Sequence, residues 1–275
     1  MREPKDEKIG AAIIRIRSAP GGWRGAVIRK GTPVEEHRDA DLRALQTRLR
    51  NEAGKLHPDY IGIDGAIVRF LRFFPGGFTD RAYVKDEREY KAKAKARLDD
   101  ALPLDNALEA TTDEAIAVRR AFATNILHST ELARAHELLG GPNGAAYVRS
   151  AARFASGDLE EGLRGMVQAI APHGRPSWPL LTYLPNLWRP RDHMFLKPVA
   201  TVDFAQRIGH RFQYDYSATP SADVYRSLLD LIADTETAID ALQPEDRTDV
   251  QSFIWVVGDY TDDLLPRLEA LRASG

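Results

Sequence analysis

The sequence predicts a mainly α-helical protein, a multi-helix bundle with a small β-hairpin at its N-terminus. Three observations lead there. Apolar residues recur at i, i+3 and i+4 through most of the chain. Helix start and stop signals follow one another at short intervals from 111 to 171. Period-two alternation of apolar and charged residues is confined to the stretch before Gly31.

The hairpin is expected from Ile9–Arg17 and Trp23–Lys30. In the first run Ile14 and Ile16 face one way, Arg15 and Arg17 the other. Pro20-Gly21-Gly22 supplies the turn. Arg15, Arg17, Arg24, Arg29 and Lys30 lie along the ribbon. Two strands alone are marginal, so the ribbon must pack on helices or gain strands.

A helix follows Asp39-Ala-Asp41, with Leu42, Leu45, Leu49, Ala53 and Leu56 at helical spacing and His57-Pro58 as its stop. Ile61–Phe74 is the most apolar stretch of the chain. It is too short to cross a bilayer and reads as a buried core helix ended by Pro75-Gly76-Gly77. Asp80 then opens a polar helix running through Lys85, Arg88, Lys91, Lys93, Lys95 and Arg97. Its few apolar residues leave one face solvated or bound to something.

Between 111 and 171 four helices with short connections are expected. Thr111-x-x-Glu114 and Asp158-x-x-Glu161 have the form of capping boxes, and Ser129 and Asn143 suit N-caps. From 172 to 200 six prolines break the rhythm among Trp178, Tyr183, Trp188, Met194 and Phe195. That composition predicts an ordered but irregular wrap. Helices follow at about 202–209, 221–242 and 261–272. Phe253–Val257 reads equally as buried helix or as a strand that would make the fold α+β. The chain divides on this reading into a basic part, 1–100, and a helical part, 101–275, within one compact unit.

Composition excludes several functions. Cysteine is absent, which removes disulfides, thiolate metal sites and cysteine nucleophiles and fits a soluble protein of the cytoplasm. No apolar run spans a membrane, and the N-terminus lacks the apolar stretch of a secretory signal. The net charge is only −2, but it is unevenly spread: +6 over 1–100, −3 over 101–172, +3 over 173–216 and −8 over 217–275. The asymmetry points to an anionic partner, nucleic acid or acidic protein, or to attraction between the two ends.

The densest candidate site is the aromatic and basic segment 173–216. Trp188, Arg189, Arg191, His193, Lys197, His210 and Arg211 are its candidate nucleic-acid or anion contacts, rings for stacking and cations for phosphate. The same residue types also stack on one another in ordinary cores. No metal or cofactor is expected, because no His-x-x-x-His pair or Gly-rich phosphate loop is present. Pro58-Asp59 followed by Glu89-x-Lys91 matches a loose nuclease pattern, yet two residues apart on a helix point away from each other. The leading expectation is a non-catalytic binding or accessory protein of bacterial type that contacts nucleic acid or a protein partner. The alternatives are an enzyme without a linear motif acting on an anionic or phosphorylated small molecule, and a structural subunit of a larger assembly.

Overall fold

The computed structural model describes residues 4–122 and 126–273. Its contacts group into two units, residues 1–68 with 202–216 and residues 69–201 with 217–275. The boundaries fall inside two helices, α2 and α10 below, and after Tyr216.

In the smaller unit, strands β1 (Glu7–Ile9), β2 (Ala12–Ala19), β3 (Gly22–Arg29) and β4 (Thr32–Asp39) form an antiparallel meander in chain order. The expected hairpin is β2–β3, with Arg17 opposite Arg24 and Ile14 opposite Val27. It gains a strand on each side. β4 reads Thr-Pro-Val-Glu-Glu-His-Arg-Asp and has no apolar alternation, so its pairing is invisible to periodicity. At the β3–β4 turn Lys30 and Gly31 both take positive φ, 50° and 84°, which matches the strand twist.

One sheet face packs Ile9, Ala12, Ile14, Ile16, Trp23 and Val27 against Leu45, Leu49 and Ala53 of α1 (Leu42–Gly54). Gly25 makes this approach close, since a Cβ there would lie 2.3 Å from the Leu49 side chain. Asp41 caps α1 by accepting from the Arg43 and Ala44 amides. Helix α2 (Gly62–Phe73) follows.

The larger unit is helical. The α3 run comprises Arg81–Tyr83, a π-helical turn at Val84–Arg88, and Glu89–Ala101. Next come α4 (Leu104–Ala107), α5 (Thr112–Val118), α6 (Ser129–Gly140), α7 (Gly144–Ala155) and α8 (Leu159–Ile170). The Thr111–Glu114 capping box forms in full. Asp158 accepts from the Glu161 amide. Two expected caps are corrected. His128, not Ser129, caps α6, and Asn143 makes no side-chain cap bond.

A larger correction concerns 172–200. Instead of an irregular wrap, the chain forms α9 (Trp178–Trp188), and Pro198 opens α10 (Pro198–Ile208). Pro179 falls in the first turn, where no amide is needed. Pro185 forfeits one helical bond, but every residue of α9 is buried, and that burial outweighs the loss. After the short α11 (Phe212–Asp215) come α12 (Ala222–Ala238), α13 (Arg247–Asp259) and α14 (Leu265–Ala273). Phe253–Val257 lies inside α13, so it adds no strand and the fold is mainly α. No helix among the described residues is long and apolar enough to cross a membrane.

Candidate functional site

The polar helix α3 hides its most unusual residues. Tyr83, Glu87, Lys91 and Leu98 repeat along one buried stripe, and the middle two are charged side chains. Asp86 and Glu87 both lie in the π turn, and one hydroxyl, that of Tyr260, lies 2.8 Å from the first and 2.6 Å from the second carboxylate. Lys91 spends all three of its N–H bonds: on Glu87 at 3.0 Å, and on Gln251 and Ser252 of α13 at 2.7 Å each. One turn away Arg88 pairs with Asp249 at 2.6 Å and Asp246 at 3.1 Å, while the Tyr83 hydroxyl donates to Asp249. Burial, followed by the neighbouring carboxylates, pushes the Tyr83, Tyr90 and Tyr260 hydroxyls up, so they remain protonated donors.

Beside this seam stands a lysine of another kind. Lys197, just before α10, lays its ammonium 3.8 Å from the centre of the Trp255 ring of α13. The residue is half-buried, and its ammonium makes no ion pair or hydrogen bond among the described residues. Burial lowers its pKa and the positive charge of Lys91 lowers it further, while the carboxylates of Glu87, Asp259 and Glu131 act the other way.

Lys197 and Trp255 form a wall shared by two hollows. One, of about 300 Å³, is polar and edged by Asp86, Glu87, Asp259 and Arg267. The other, of about 520 Å³, is apolar, walled by Ile126, Leu127, Pro179, Phe195 and Val199. Its polar groups are Lys197, His128, Thr130 and Glu131, the last accepting from the Ser177 hydroxyl at 3.0 Å. The first turn of α10 runs along this cavity through Pro198, Val199 and Ala200.

Of the candidate nucleic-acid or anion contacts named from the sequence, Lys197 alone lines this cavity. Trp188 is buried, its indole donating to the Leu102 carbonyl at 3.0 Å. His193 is buried with Nδ1 3.2 Å from the Tyr225 hydroxyl and Nε2 3.2 Å from the Ala155 carbonyl, and burial lowers its pKa. Arg189 and Arg191 are exposed. His210 and Arg211 belong to the smaller unit, where His210 accepts from the Phe212 amide and Arg211 pairs with Asp215. The Glu89-x-Lys91 pattern also comes apart: Glu89 pairs with Lys93 on the surface, and Lys91 turns inward. No group of three acidic or imidazole side chains among the described residues could hold a metal ion.

Periodicity gave no sign of Trp255, Glu131, Gln251 or Tyr260. The one legible signal was Glu87 and Lys91, four apart on a helix short of apolar residues. Compared with family models, curated proteins and solved structures, the chain matches none of them.

Proposed function

We propose that this chain is a non-catalytic binding protein whose helical unit takes a small amphipathic anion. The observation that carries the reading is the unpaired Lys197 ammonium held against Trp255 at the edge of an apolar cavity. The volume, about 520 Å³, falls within the range of small-molecule sites. The carboxylates of Glu87, Asp259 and Glu131 act on this ammonium without forming an ion pair with it, and an anionic ligand group would supply the direct partner. The positive end of the α10 dipole favours the same sign. Ile126, Leu127, Phe195 and Val199 would cover the ligand's apolar body. The reading keeps the protein in the cytoplasm, in line with its lack of cysteine.

Calorimetry with decanoate and decanol tests it. Decanoate should bind at least about tenfold tighter than the alcohol, a difference of about 1.4 kcal/mol. Lys197→Met should erase that preference, and Trp255→Ala should weaken both ligands. Binding of neither ligand, or an unchanged preference in Lys197→Met, would overturn the proposal.

A further inference from the structure

The solvent side of the sheet follows from strand alternation. Ile14 and Ile16 of β2 face the core, so Ile13, Arg15 and Arg17 face outward. Trp23 and Val27 likewise turn Arg24, Ala26 and Ile28 outward on β3. The register sets Arg17 opposite Arg24 and Arg24 opposite Arg38. Three arginines from three adjacent strands thus form one exposed row. At about 4.8 Å per strand the row is about 10 Å long.

Such a row is a cost to the fold, because like charges facing each other across strands repel. The next row offers partial relief. Asp6 accepts from Arg15 and from Arg17, and Glu36 from Arg24 at 2.6 Å. Arg38 has no partner among the described residues. With Lys8, paired beside Ile13, the face carries five cations against the carboxylates of Asp6 and Glu36.

We propose that the Arg17–Arg24–Arg38 row holds the phosphate backbone of a nucleic acid strand. Guanidinium groups offer paired N–H donors that match phosphate oxygens. One strand of a duplex carries a phosphate every 3.4 Å or so of axis, hence about three over the length of the row. The ion pairs to Asp6 and Glu36 are exposed, with side chains a third to a half accessible, so they contribute little and yield readily to phosphate. Besides the row, β2 and β3 turn Ile13, Arg15, Ala26 and Ile28 outward, and none of these offers a ring for base stacking. Recognition therefore reads backbone, not sequence. The site lies in the unit that does not contain the ligand cavity, and neither proposal depends on the other.

Fluorescence anisotropy with short labelled single- and double-stranded DNA, titrated in salt, is the test. Affinity should fall with salt with a log–log slope of about −3 for duplex. Arg17→Ala/Arg24→Ala/Arg38→Ala should weaken binding at least about tenfold and flatten that slope. The Lys triple variant should keep the slope at reduced affinity, separating charge from fork geometry. Arg189→Ala/Arg191→Ala, on exposed residues of the other unit, should bind as the parent does. Because the row is exposed, circular dichroism should find the triple variants folded. Absence of binding at low salt, a triple Ala variant that binds undiminished, or polyglutamate binding as tightly as DNA would overturn the proposal.

Discussion

The outer face of the sheet and the seam between α3 and α13 both crowd charges together, and they handle them in opposite ways. On the sheet Arg17, Arg24 and Arg38 stand in water, which screens them, and one of the three has no partner. In the seam Glu87 and Lys91 are 3% and 6% exposed, and every polar bond of Lys91 is satisfied. The contrast reflects the dielectric. A charge in water tolerates an imperfect neighbour, whereas a buried one repays its desolvation only with full partnering. Lys197 breaks that rule, being half-buried with an aromatic face in place of a direct ion pair, and the exception marks the candidate site.

Removing a partner from the seam should give the largest effect. Lys91→Met leaves Glu87 as a buried carboxylate without its cation, and denaturant unfolding should register a loss of about 3–5 kcal/mol. Glu87→Gln/Lys91→Met removes the charge as well and should recover much of the loss. A single Lys91→Met variant as stable as the parent would show that the buried Glu87 needs no cation.

Lys197→Met sharpens the comparison. Desolvation and cation–π attraction act in opposite directions on this ammonium, so the change at neutral pH should stay within about 1 kcal/mol. Its pH dependence has a definite sign. Burial lowers the folded pKa below the 10.5 of the free side chain. Between those two values the unfolded chain binds more protons, so this group's contribution to stability rises with pH across that window. Parent minus variant stability should therefore increase from neutral pH toward 10, and a flat difference would show the amine to be solvated.

The sheet should respond least. Arg24→Ala breaks an ion pair whose side chains are 51% and 45% accessible, and thermal or denaturant unfolding should shift by less than about 1 kcal/mol in either direction.

The sequence by itself determined the features that depend on near neighbours in the chain. The helical class, the Pro20-Gly21 turn, the Thr111–Glu114 box and the polar character of α3 all follow from residues within one turn of each other. Tertiary structure decided the rest. β4 exists because β3 offers it a hydrogen-bonding edge, not because its own residues alternate. α9 forms through two prolines because the surrounding helices bury its whole circumference. Lys197 meets Trp255, and Lys91 meets Gln251 and Ser252, only when α13 packs beside residues far from it in sequence. Helical periodicity reports which face of a segment is apolar; which distant side chain fills the space beside a buried charge is fixed by packing alone.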